Sequence, residues 1–186
     1  IDDLRACVLK NKTDVPFITS DDPAIMTDRW FKSDRRHLGA AFGLGSSGLL
    51  AMLPLSEDAM FVVYDSDVYS ISKSCGIATT RRKRDVHALN QFQFLNCRAN
   101  IFPGRRYEGQ AFCADYRACK ENRLDQRHIL HYAILDQVEG EQKRYRVVDS
   151  PDDERHEEAL VHSQTRSPSP KNWPLLLQWR KKGFGM

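Results

Sequence analysis

The sequence predicts an α+β fold: a single domain with a mostly antiparallel or mixed sheet and helices packed on it. Three observations predict it. Residues 49–53 and 60–64 are apolar runs of strand length, joined by the tight stretch PLSEDA. Val86, Leu89, Phe92 and Leu95 recur along one side of a candidate helix. Further on, residues 129–138 and 144–149 flank Glu139-Gly140-Glu141, the composition of a hairpin turn.

Taken in order, residues 1–11 place Ile1, Leu4 and Val8 on one helical face, which predicts a short helix or the tail of a longer one. From Val15 the pattern turns to strand, interrupted by the Ser20-Asp21-Asp22-Pro23 turn and resumed over residues 24–27. Residues 28–48 carry charges and then Gly43, Gly45 and Gly48, and read as a loop. Because the runs at 49–53 and 60–64 are apolar on consecutive positions, the sheet they form is expected to be covered on both faces. Asp85 is placed to cap a helix running to about Cys97. Residues 99–102 read as a short strand stopped by Pro103-Gly104, and residues 110–122 as moderately helical.

This gives a globular body over residues 1–149. A polar stretch over 150–172, containing HSQTRSPSPKN, has the composition of a flexible segment. Residues 173–186 bring apolar side chains back as a docking turn or helix. The chain opens on Ile1, which reads as a processed product or a fragment.

Composition narrows the function classes. Hydrophobic residues make up 41% and charged residues 28%, ordinary for a globular protein. No apolar run approaches the roughly 20 residues of a membrane span, and no basic-then-apolar leader pattern opens the chain. A net charge of +3 does not by itself imply nucleic acid, but Arg81-Arg82-Lys83-Arg84 concentrates basic charge before a helix start. Cys7, Cys75, Cys97, Cys113 and Cys119 form no C-x-x-C pair, which argues against a zinc site or a disulfide framework and fits the cytoplasm. His128 and His131 stand three apart on a strand and point to opposite faces. No cofactor and no metal is expected from these counts.

The stretch FITSDDP, residues 17–23, concentrates the candidate chemistry. An aspartate usually accepts the backbone N–H two residues on, but for Asp21 that residue is Pro23, which has none. Asp21 must therefore find another partner: water, a tertiary donor such as Asn90 or a helix N-terminus, a basic side chain, or a ligand. The tertiary donor is the expected one, with Asp21 partly buried. His87, in the first turn of the candidate helix, becomes a base only if it meets Asp21. Asp65-Ser66-Asp67 could clasp a hard cation, though strand ends often carry that pattern. Asp136 with Glu141-x-Lys143 has the residue types of a metal-dependent nuclease, but a charged hairpin end accounts for it more simply.

FITSDDP, LPLSEDAMFVV (53–63) and the helix DVHALNQFQFLNCRANIF (85–102) bearing Asn90 together resemble the largely bacterial family of domain of unknown function 4238. The resemblance covers residues 10–105. Members begin with a histidine- and proline-rich helical segment that this chain lacks, so it looks like the later part of such a protein. They also carry proline after Pro-Leu-Ser, where this chain has Glu57. The resemblance implies Thr19, Ser20, Asp21 and Asn90 as site residues and implies no reaction.

The expected function is an intracellular, bacterial binding module, part of a larger protein. Two alternatives stand beside it. One is a divalent-metal phosphodiesterase or nuclease centred on Asp21, the single reading that calls for Mg²⁺. The other is a non-catalytic surface contacting nucleic acid through Arg81, Arg82, Lys83 and Arg84. Nucleic acid or another protein is the expected partner, and a membrane is not.

Overall fold

The computed structural model describes residues 3–29, 43, 45–124, 128–153, 155–165 and 168–180. Two compact units are present: Ile1–Leu124 with Ser167–Met186, and Asp125–Arg166. The expected loop over 28–48 lies mostly outside the described residues. The division falls elsewhere than at the expected 149/150 boundary.

The first unit is built on a six-stranded mixed sheet. β1 (Leu4–Asn11) lies inside it, antiparallel to β5 (Ala59–Asp65) and parallel to β8 (Ile77–Thr80). The helix expected over residues 1–11 is thus a strand. Ile1, Leu4 and Val8 fit a helical face by spacing, but Cys7, Leu9 and Asn11 alternate inward with period two. Pairing on both edges, which the local pattern does not contain, selects the extended form.

β4 (Leu49–Ser56) and β5 form the expected hairpin, with a register shift between Pro54 and Ser56 where the proline is accommodated. β3 (Ile25–Asp28) adds to β4 at one edge and β7 (Lys73–Ser74) to β8 at the other, giving the order β3-β4-β5-β1-β8-β7. The β7–β8 turn is Cys75-Gly76, both at positive φ (48° and 75°), the backbone a two-residue hairpin loop requires. Burial in β5 alternates: Met60, Val62 and Tyr64 are inside, whereas Phe61 is 38% exposed. One sheet face is therefore covered much more fully than the other, against the expectation from the continuous apolar runs.

α1 (Lys83–Asn96) follows β8 and is buried on most sides, including Val86, Ala88, Leu89, Phe92, Phe94 and Leu95. Its N-cap position is Arg82, so Asp85 lies inside the first turn rather than capping it. Val86, Leu89 and Phe92 join the sheet's core, while Phe94 and Leu95 form a second cluster with Ile18 and Cys119. α2 (Gly109–Lys120) closes that cluster, with Phe112 and Tyr116 at 5.4 Å and 5.9 Å from the Phe94 ring.

The C-terminal stretch returns to the same unit through a turn and β13 (Gln178–Trp179), which pairs with β6 (Tyr69–Ser70). Trp173 and Trp179 stack on or near Tyr69, and the Arg29 guanidinium lies 4.9 Å and 5.5 Å from their rings. Such cation–π contacts add roughly 0.5–1 kcal/mol each at exposed sites and help fasten the return segment.

The second unit is a three-stranded antiparallel sheet in the order β11-β10-β12. β10 (His128–Glu139) and β11 (Gln142–Val148) make the expected hairpin, with Gly140 at φ 63° in its turn. β12 (Ala159–Thr165) pairs along the other edge of β10, inside the stretch whose composition reads as flexible. The chain belongs architecturally to the α+β class, with antiparallel and mixed sheets and two described helices.

Candidate functional site

The FITSDDP stretch is clasped along its length by amide side chains of α1. Asn90 Nδ2 donates to the Pro16 carbonyl at 2.9 Å, and the Ile18 N–H donates to Asn90 Oδ1 at 3.2 Å. One helical turn on, Ser20 Oγ and Gln93 Oε1 are bonded at 2.8 Å and Gln93 Nε2 donates to the Pro23 carbonyl at 2.9 Å. A further turn on, Asn96 Nδ2 donates to the Asp22 carbonyl at 2.6 Å. Positions 90, 93 and 96 share one face because three-residue steps nearly complete a turn. Phe17 and Ile18 are buried beside them, and β2 (Thr19–Ser20) pairs with β9 (Ile101–Phe102).

Asp21 is exposed, not partly buried, and neither Asn90 nor the N-terminus of α1 holds it. Its carboxylate accepts the backbone N–H groups of Arg98, Ala99 and Asn100 at 2.8, 2.8 and 2.9 Å. Those amides follow the C-terminal end of α1, where the chain turns back toward β9. The Ala99 amide first, then the Arg98 and Asn100 amides, hold the Asp21 carboxyl below the usual carboxylate range. The tertiary donor expected for Asp21 is therefore present, but it is backbone. Ser20 Oγ accepts the Asp22 N–H at 3.3 Å, so the turn is a serine turn.

Glu57 follows Pro54-Leu55-Ser56 at the β4–β5 turn. Its carboxylate accepts the Arg105 N–H at 2.8 Å and pairs with Arg106 Nε at 2.8 Å, and Asp58 meets Arg106 Nη2 at 2.6 Å. A Cβ on Gly104 would lie 2.6 Å from the Glu57 carboxyl, so glycine there leaves room for this clasp. Thr19, Leu55, Ser56, Phe102 and Gly104 border an open cleft of about 260 Å³ between the two motifs.

His87 turns away from Asp21. Its Nδ1 lies 2.6 Å from Asp115 Oδ2 on α2, and the Tyr107 hydroxyl bonds the same carboxylate oxygen. Burial pushes Asp115 up, but the bonds from His87 and Tyr107 outweigh it and hold the carboxyl below its ordinary range. Burial first and then Asp115 push the Tyr107 phenol strongly upward. The trio pins α2 to α1. Sequence reading missed Asp115 and Tyr107 because nothing local marks a contact made across 28 residues.

The basic quartet divides. Lys83 pairs with Asp14 at 2.8 Å, Arg84 is exposed, and Arg81 and Arg82 border a cleft of about 690 Å³ beside the start of α1. Exposed Ser70, Ser72 and Thr79 line the same cleft, as do Leu175, Leu176 and Gln178 of the return segment. Asp85, buried at its base, accepts the Leu175 N–H at 2.7 Å and the Thr80 hydroxyl at 3.3 Å. Asp85 therefore ties the return segment to the helix start.

The remaining acidic candidates are local organisers. Asp65 accepts the N–H groups of Gly48, Asp67 and Val68. Oxygen atoms of Asp3, Asp65 and Asp67 lie within 4.8 Å of one another. In the second unit, Lys143 and Tyr145 bond Glu158, and Asp136 lies 3.6 Å from Arg146. Asp136 and Lys143 are thus engaged with Arg146 and Glu158, and Glu141 lies in the β10–β11 turn.

This clasp of three motifs coincides with what comparison finds. Residues 1–106, more than half of the chain, match the family described as protein of unknown function (DUF4238), and the chain belongs to that family. No curated protein and no solved structure matches it.

Proposed function

We propose that this protein is a non-catalytic, intracellular binding module that takes a phosphate-bearing partner in the cleft beside the start of α1. One observation carries the reading: exposed Arg81 and Arg82 line a cleft of about 690 Å³ together with the exposed hydroxyl residues Ser70, Ser72 and Thr79. Guanidinium groups and hydroxyls are the donors that hold phosphate oxygens, and a helix start adds favourable dipole. The exposed thiols of Cys75 and Cys113 fit a reducing cytoplasm. Among the described residues no helix is long and apolar enough to cross a membrane.

The dispersal of the acidic and basic candidates supports binding over hydrolysis. A nuclease centred on Asp21 needs that carboxylate directed at Mg²⁺ with a second acid beside it. Asp21 instead accepts three backbone amides, His87 bonds Asp115, and Asp65 organises its own loop. The other residues of the clasp, Thr19, Ser20 and Asn90, serve in this reading to hold the fold that presents the cleft.

The test is association with fluorescent single-stranded and duplex oligonucleotides across a salt series. Binding should weaken steeply with salt, and Arg81→Ala with Arg82→Ala should flatten the log–log slope by roughly 1.4–1.8, two contacts at 0.7–0.9 each. Undetectable binding at low salt, or a slope untouched by the double substitution, would remove the proposal.

A further inference from the structure

In the second unit, His131 of β10 and His162 of β12 are direct cross-strand partners. Both are exposed, and their rings lie 6.1 Å apart between centroids at 28° to one another. The two positions are 31 residues apart in the chain, which is why ligand spacing read along the sequence does not reveal them. Antiparallel pairing brings them together: directly opposed Cβ atoms stand roughly 4.5–5.5 Å apart on one face.

We propose that His131 and His162 form a bidentate site for a divalent transition-metal ion of the Zn²⁺ or Ni²⁺ kind. Neutral imidazole is a preferred ligand for such ions, with metal–nitrogen bonds of roughly 2.0–2.1 Å. Two imidazoles chelating one tetrahedral ion at that bond length have centroids roughly 5 Å apart. The present separation exceeds this by about one ångström, within the reach of side-chain rotation on an open sheet face. The strands fix the two Cβ atoms, so the chelate forms without ordering any backbone.

A third ligand is available in the same row. Tyr132 pairs with Val148, so the antiparallel register carried one step further sets Asp149 opposite His131. Asp149 is exposed and must swing inward to bind, because these three groups do not lie within 4.8 Å of one another as the oxygens of Asp3, Asp65 and Asp67 do. Water completes the shell.

The experiment titrates the whole chain with Ni²⁺, a paramagnetic ion, and follows imidazole C–H resonances by NMR. His131 and His162 should broaden together, at lower Ni²⁺ than the other four of the chain's six histidines. His131→Gln and His162→Gln should each weaken binding at least tenfold, and Asp149→Asn by less. Uniform broadening of all six histidines in the wild-type chain would overturn the site. Equal affinity in either folded glutamine variant, checked by circular dichroism, would overturn it equally.

Discussion

Replacing Asn90 by alanine should be the most costly single change in the FITSDDP clasp. Asn90 is fully buried, and so are Pro16 and Ile18, the residues whose carbonyl and N–H it satisfies. Alanine leaves one backbone acceptor and one backbone donor in the core without a partner. Each such loss costs about 1–3 kcal/mol, so the pair costs roughly 2–6 kcal/mol. Against a total stability of about 5–15 kcal/mol, that is a large share. Urea unfolding followed by tryptophan fluorescence should show the midpoint falling by roughly 2 M for a loss near 4 kcal/mol, if the slope is about 2 kcal/mol per molar. Asn90→Leu separates two causes, since it fills the volume and restores neither bond. If Asn90→Leu regains most of the stability, the cavity and not the amide is responsible. A loss below about 1 kcal/mol in both variants would refute the argument that these backbone groups depend on Asn90.

Other outcomes follow from the same geometry. Asp21→Ala should speed amide exchange at Arg98, Ala99 and Asn100 well beyond the rest of the chain, and unchanged protection there would count against the clasp. Because the Asp115 carboxyl is depressed in the fold, its stabilisation is present above the unfolded value near 3.8 and is lost as pH falls through the lower folded value. Asp115→Asn should therefore flatten the acid limb of the stability profile, read as the urea midpoint between neutral and strongly acid pH. Gly104→Ala should displace Glu57 and expose the Arg105 amide to exchange, since a Cβ there meets the Glu57 carboxyl at 2.6 Å.

The sequence by itself determined the class of fold and several of its elements. The β4–β5 hairpin, α1, α2 and the β10–β11 hairpin follow from local apolar spacing and turn residues, which act within a few residues of one another. It also determined that Asp21 needs a partner beyond its own turn, because Pro23 has no N–H to offer. Tertiary structure decided the rest. β1 is a strand because β5 and β8 flank it, information that lies some 50 residues or more away in the chain. The donors to Asp21 are backbone amides of residues 98–100, a chemistry every residue but proline carries, so no side-chain pattern could mark them. Gln93 and Asn96 were legible in principle as polar residues three apart on an otherwise buried helix, yet which carbonyls they meet depended on how α1 lies against the strand before it. The pairing of His131 with His162 was set by the register of β10 and β12, and a shift of one residue would have turned one ring to the opposite face.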